Sequence, residues 1–388
     1  VKIGKFATPL LVVSLLAGCS TVTEKITTGF GLFGPPSATE KIAPLPEFKE
    51  VAGARIVWRN QIGGAEGLVF SPVVVGGSVF VAGQDGQIAR FSADGKPIWR
   101  VDAERKLSGG LGVGSDLVLA GTGKGEVLAF DLDGKPRWTA KVTSEVLGAP
   151  QAADDIVVVR TGDGRIFGLD GKDGKRKWVY QRAMPPLALR SHAGVIITRG
   201  AVLAGFPGGK LVALNLTNGS VGWEAAVAQP RGATELERIA DITSLPVVDE
   251  NMVCAVAYQG RVACFDLTKG SQIWAREISS ADGLTMDHRY LFVSDVKGAI
   301  HALDKNSGAS LWKQDKLAGR RLSAPVVANG YVGVGDYQGY MHFLARDDGS
   351  FAARIATDGG AVVAPPLAVN GSVVLQTSNG GVFALSVQ

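Results

Sequence analysis

At 388 residues, 46% of them apolar and 52 of them glycine, the chain can bury a large core and needs many tight turns. Its formal net charge is +4, with both signs spread along the sequence and no run of lysine or arginine. That excludes a nucleic-acid-binding arm and argues for a mixed, soluble surface.

The N-terminus reads as an export signal over residues 1–18. Lys2 and Lys5 precede a short apolar run, Leu10 to Leu16, and small residues precede Cys19 in Leu16-Ala17-Gly18-Cys19. The run is too short to span a bilayer as a helix. "LAGC" resembles a bacterial lipobox, which implies cleavage before Cys19 and lipid on its sulfur. Ser20 is not the aspartate associated with inner-membrane retention, so the resemblance implies the outer membrane, on its periplasmic face. Losing Lys2 and Lys5 takes the charge from +4 to +2. Residues 19–50 then form the lipidated cysteine and a flexible tether, because Ser20 to Pro46 is rich in Ser, Thr, Gly and Pro without periodicity. About 27 such residues reach roughly 30 Å.

From residue 51 to the end the sequence repeats. A turn glycine opens a strand of the form G-x-apolar-x-x-[Phe/Leu] at Gly86, Gly125, Gly164, Gly209, Gly260, Gly298, Gly339 and Gly380, at intervals of 39, 39, 45, 51, 38, 41 and 41. Pro72, Pro150, Pro246, Pro325 and Pro366 each lie fourteen residues before that glycine. Trp99, Trp138, Trp178, Trp223, Trp274 and Trp312 each follow a second turn glycine by four residues, and Ala353 takes that slot in the seventh unit. Each unit reads as four short strands joined by Gly, Asn and Asp turns, and such units every 40 residues or so predict an all-β, eight-bladed β-propeller. The eighth unit ends at Gln388 without a fourth strand, while Trp58 in "GARIVWRN" belongs to a fourth strand with no unit before it. An N-terminal strand completing the last blade closes the ring and removes open edges. Each tryptophan, Trp58 included, is expected to wedge between neighbouring blades.

Several smaller motifs are absorbed by this architecture. "GTGKGE" at 121–126 lacks the rest of a phosphate loop and falls in a hairpin slot. Asp131, Asp133, Asp170 and Asp173 lie at turns, without the further ligands a calcium loop needs. His301 and His342 share one strand slot in consecutive units; no acidic residue repeats with them, so packing is the expected role and no metal site is predicted. Cys254 and Cys264 replace apolar or small residues, which favours packing, although they flank one hairpin and an oxidising compartment permits a disulfide. No Cys-His pair or G-x-S-x-G elbow supports hydrolase chemistry, and no catalytic residue or cofactor is assigned.

Function is expected where the repeat is broken. Trp178 to Gly209 takes 31 residues and Trp223 to Gly260 takes 37, against 24 to 28 in most units. Both extra segments connect blades on the same face, at consecutive junctions. The first, "AMPPLALRSHAG", offers Leu187 and Leu189 beside Arg190; the second, "PRGATELERIADITSLP", offers Glu235, Arg238 and Asp241 among Leu236 and Ile239. "ATELERIAD" reads as a short helical turn capped by Thr234. Apolar anchors, an arginine and a charged rim suit a protein interface.

The lipobox, the eight units, "LALR" and above all "RGATELERIADI" resemble the BamB family, the propeller lipoproteins of the outer-membrane β-barrel assembly machinery. The resemblance covers essentially the whole mature chain. It implies a non-enzymatic scaffold that docks on BamA and assists insertion of β-barrel proteins, without nucleic acid. It places the contact on the two long loops, with Leu187, Leu189 and Arg190 in the first and Asp241 at an acidic position in the second; a second acidic position is Thr243 here. Unfolded outer-membrane proteins are a further possible partner, by strand addition to a blade edge. "ACFDLTKGSQIW" and "ALDKNSGASLW" also resemble the repeat of pyrroloquinoline-quinone dehydrogenases. The chain lacks their adjacent cysteines and extra length, and every tryptophan is taken by a repeat slot. A periplasmic glycan- or peptide-binding propeller is a third reading.

Overall fold

The computed structural model describes residues 42–388, together with Val1. The export signal, Cys19 and the tether to residue 41 therefore lie outside the described residues. The chain forms 32 strands in eight four-stranded antiparallel sheets, with no helix among the described residues. Seven sheets are simple meanders of consecutive strands: blades 1 to 7 span 73–102, 112–141, 151–181, 196–226, 247–276, 283–314 and 326–356. Blade 8 takes three strands from 367–387 and its outer strand from Ala54–Gln61. That strand pairs with Gly381–Val387 from Ala54↔Val387 to Gln61↔Gly381, so the expected closure is formed.

The second and third strands of each blade are buried on both faces. Val79 and Val81 pack toward blade 8, while Phe80 and Ala82 pack toward blade 2. This is why these strands read as continuous apolar runs rather than as alternation. The buried apolar residues divide into eight clusters, one at each junction between blades.

Every tryptophan wedge has the same geometry. The indole Nε1 of Trp58, Trp99, Trp138, Trp178, Trp223, Trp274 and Trp312 donates to the carbonyl of Ala93, Leu132, Gly171, Leu216, Leu267, Lys305 and Arg346 respectively, at 2.8 to 3.0 Å. Each acceptor lies in the outer turn of the next blade. The glycine of that turn, such as Gly174 over Trp138, rests on the indole face with a φ of +73°, so a side chain there meets both strain and the ring. Opposite each indole the third strand carries a small residue in most blades, such as Gly168 facing Trp178 and Cys264 facing Trp274.

The outer strand of every blade also bulges at the residue before the tryptophan slot, from Val57 and Ile98 to Leu311 and Ala352. Nothing in the sequence reading anticipated these bulges. An irregular outer edge is a poor template for an added strand.

Three other expectations change. Cys254 and Cys264 are direct cross-strand partners in blade 5 and form a disulfide, with Cα atoms 4.1 Å apart, so simple packing is not their role. The bond closes a short loop, and its loss in Cys254→Ala/Cys264→Ala is expected to cost about 2–3 kcal/mol, read from denaturant midpoints. His301 and His342 do have a repeating acidic companion six residues earlier: Nε2 meets Asp295 Oδ2 at 2.8 Å and Asp336 Oδ2 at 2.9 Å. The other carboxylate oxygen of each aspartate accepts backbone N–H groups of its own hairpin, so the pairs brace turns. Finally, the chain is tied to the ring from Ala43 onward, well before residue 50. The turn reading of the other aspartates matches the structure: Asp131 Oδ1 accepts the N–H groups of Asp133 and Lys135 at 3.0 and 2.9 Å.

No helix among the described residues is long and apolar enough to cross a membrane.

Candidate partner-docking face

Antiparallel meanders put every connection from an outer strand to the next inner strand on one face of the ring. Most are short, as at 103–111, 142–150 and 277–282; the two long ones are 182–195 and 227–246. They do not project independently. The carboxylate of Asp241 in the second accepts the N–H of Leu189 in the first at 2.7 Å and that of Gly208 in blade 4 at 3.0 Å. Ser191 Oγ donates to the Thr243 carbonyl at 3.3 Å.

This corrects the reading of Asp241 as a group offered to a partner. Its residue is only 2% exposed. Burial is the main influence on its carboxyl and raises its pKa, against the pull of the Leu189 and Gly208 N–H groups and the charge of Arg160. Arg160 is buried too, donates to the Ala193 carbonyl at 3.1 Å and lies 5.2 Å over the Phe206 ring. Burial lowers its pKa to about 10, with Asp241 opposing the shift. Asp241 thus pins the first loop through its hydrogen bonds, with the charge of Arg160 nearby. The sequence reading missed Arg160, though an arginine ending the run Ile156-Val157-Val158-Val159 was a visible signal. Thr243, in place of a second acid, donates to the Ala281 carbonyl at 2.8 Å and ties the second loop toward blade 6.

Pinned in this way, the loops present a defined surface. Leu187 and Leu189 are partly buried and Arg190 is exposed beside them. In the second loop, residues 234–238 make a single helical turn, with a reciprocal cap between Thr234 and Glu237. Glu237 Oε2 accepts the N–H of Ala233 and Thr234 at 2.8 and 3.0 Å, while Thr234 Oγ1 accepts the N–H of Glu237 at 3.2 Å. Arg238 donates to the Gly232 carbonyl at 3.0 Å and pairs with Glu235 at 3.4 Å, both side chains about half exposed. Leu236 stands between them, 49% exposed, with Met184 and Leu245 as further exposed apolar residues on the same loops. The face therefore carries apolar anchors, a free-standing arginine and a rim of opposite charges.

The second loop also borders a cavity of about 280 Å³ that opens at the propeller axis, walled by Leu245, Pro246, Leu284, Pro325 and Pro366, with Asp282 as its acidic member. Asp282 is partly exposed at this cavity. Burial pushes its pKa up to about 7, with Arg321 opposing. Because the folded pKa lies above the unfolded one, the cost of ionising Asp282 is absent below about pH 4 and complete above about pH 7. Asp282→Asn is expected to stabilise the ring progressively across that window, which thermal midpoints between pH 4 and 8 would record.

By fold the chain is a closed eight-bladed β-propeller whose two overlong loops are tied together on one face. The family model described as "Outer membrane protein assembly factor BamB" matches residues 84–314 and 296–388. Proteins of that name are similar over nearly the whole chain. The one from Nitrosomonas eutropha is 46% identical over 382 residues, covering 96% of this chain and 93% of the relative. The Pseudomonas aeruginosa relative is 41% identical over 382 residues, covering 97% of each. The crystal structure of BamB from Moraxella catarrhalis superposes with a TM-score of 0.80 at 27% identity, covering 86% of this chain and 100% of that one. The chain belongs to the BamB family of outer membrane protein assembly factors. A quinohemoprotein alcohol dehydrogenase from Comamonas testosteroni, 13% identical with a TM-score of 0.69, shares the fold alone.

Proposed function

We propose that the chain is a non-enzymatic scaffold lipoprotein of the BAM complex, anchored through Cys19 at the periplasmic face of the outer membrane, that docks on the periplasmic domains of BamA and assists folding and insertion of outer-membrane proteins. The observation that carries the reading is the pinning of two overlong loops into one face by Asp241. Prepaid ordering of loops favours binding, because little conformational entropy remains to be lost on contact. Leu187, Leu189 and Leu236 supply the apolar centre, Arg190 the hydrogen-bond donor, and Glu235 with Arg238 the rim.

Arg190→Ala and the pair Leu187→Ala/Leu189→Ala are expected to reduce co-purification with BamA at least tenfold, and Arg190→Ala to leave the thermal midpoint within about 1 °C, since truncation of an exposed side chain costs little stability. Undiminished recovery of BamA from detergent-solubilised membranes would rule out the face. Cys19→Ala is expected to abolish incorporation of labelled palmitate. Direct capture of unfolded barrels by strand addition is disfavoured by the bulge on every outer strand.

A further inference from the structure

Seven of the eight junctions are fastened by a tryptophan that reaches a carbonyl in the outer turn of the next blade. The junction between blades 7 and 8 cannot use that device. The third and outer strands of blade 8 come from opposite ends of the described chain, so no covalent turn joins them and no turn glycine or carbonyl awaits an indole. The slot holds Ala353.

The incoming chain occupies the place instead. Val51 and Ala52 both donate to the Ala352 carbonyl, at 3.0 and 3.2 Å, beside the vacant slot. Ala52 packs into the core of this junction with Ala352, Ala353, Phe383, Leu385 and Val387. Gly53 and Gln388 exchange both backbone hydrogen bonds, at 2.9 and 3.1 Å, and so complete the outer hairpin without a turn. Upstream, Phe48 stacks on Phe351 at the core between blades 6 and 7, with centroids 5.3 Å apart, and the Arg354 guanidinium lies 5.4 Å over Phe48 while donating to the Pro46 carbonyl at 2.9 Å. At the far end Ala43 donates to the Ala318 carbonyl at 2.9 Å and accepts from Arg320 at 3.0 Å. Arg320 is itself fixed by Asp336 at 2.8 Å and Gln338 at 2.6 Å.

We infer that residues 43–53 are the latch of the ring: an arm tied at Ala43 and Phe48 to the 6–7 side of blade 7 that crosses its outer edge and, through Val51, Ala52 and Gly53, holds the 7–8 junction shut in place of the missing tryptophan. The arm also covers an edge that would otherwise be open. Ring closure thus depends on a segment whose first ties, at Ala43, lie on the connection between blades 6 and 7. The inference rests on the ring alone and stands apart from the docking reading.

Hydrogen exchange of the full chain tests it. In Ala52→Asp, which puts a charge into the 7–8 core, amides of Phe351–Ala356, Ala54–Gln61 and Gly381–Val387 are expected to exchange at least about tenfold faster, because local opening of a junction exposes its own strands first. Amides of Glu126–Asp131 and Pro136–Lys141, at the 2–3 junction, keep their rates. Unchanged rates at the 7–8 junction, or an equal rise in all blades, would overturn the latch. If that variant does not fold, Val51→Pro, which removes one of the two N–H donors to the Ala352 carbonyl, gives the same comparison at smaller amplitude and is read by the same two outcomes.

Discussion

Trp138→Ala is expected to destabilise the propeller by about 3–5 kcal/mol, with a fall in thermal midpoint on the order of 5 °C or more. The size of the effect follows from what the side chain does at the 2–3 junction. Its ring lies against the core formed by Leu119, Ala129, Val157 and Leu169, and its Nε1 donates to the Gly171 carbonyl at 2.8 Å. Truncation removes the apolar contact, opens a cavity between two rigid sheets and leaves that carbonyl without its donor. Trp138→Phe separates these contributions: most of the area remains, and the missing hydrogen bond costs about 1 kcal/mol. Gly174→Ala attacks the same contact from the other side, since a Cβ there would come within 2.6 Å of Trp138 Cε3 at a φ of +73°. Midpoints of all three variants equal to that of the parent protein would remove the wedge from the account of stability.

The second large effect is expected at Asp241. Asp241→Ala strips the acceptor from the N–H groups of Leu189 and Gly208 and leaves the buried guanidinium of Arg160 without its counter-charge. Leaving buried N–H groups without an acceptor costs about 1–3 kcal/mol, and here the first loop also loses its pin. Binding of BamA is therefore expected to fall with Arg190 and both leucines intact, because the anchors are no longer held in register. Asp241→Asn keeps an acceptor and is expected to lose less in both measurements. A variant that binds normally although its loop exchanges freely would show that pinning is dispensable. The distinction from Arg190→Ala is clear: that change removes a contact and leaves stability alone.

These two residues also mark the limits of the sequence as a source. Trp138 was legible because it recurs in phase with turn glycines, and a recurring large residue in a closed ring has only the neighbouring blade to pack against. Asp241 was legible as part of a loop motif, but its direction was not. An aspartate in a long, charged connection looks like surface, and nothing local reveals that Leu189, 52 residues earlier, brings an N–H to its carboxylate. The same holds for Asp295 and Asp336. Both sit in hairpin turns, where aspartate belongs for local reasons, and only the folded hairpin swings His301 and His342 over them. The disulfide stayed open for a related reason: register decides whether two cysteines on one hairpin face each other, and a shift of one residue sends them to opposite faces.

What the amino-acid sequence determined by itself was the repeat, the number of blades, the place of each tryptophan, the closure by Ala54–Gln61 and the two connections that exceed the rest. All of these follow from local rules of turn and strand applied eight times over. Only the tertiary structure decided that the two long loops are pinned into one face, that every outer strand bulges, and that residues 43–53 take the place of a tryptophan at the one junction where the ring is discontinuous. Those features arise between segments with no common period, where charge burial, hydrogen-bond satisfaction and the meeting of chain ends settle the outcome.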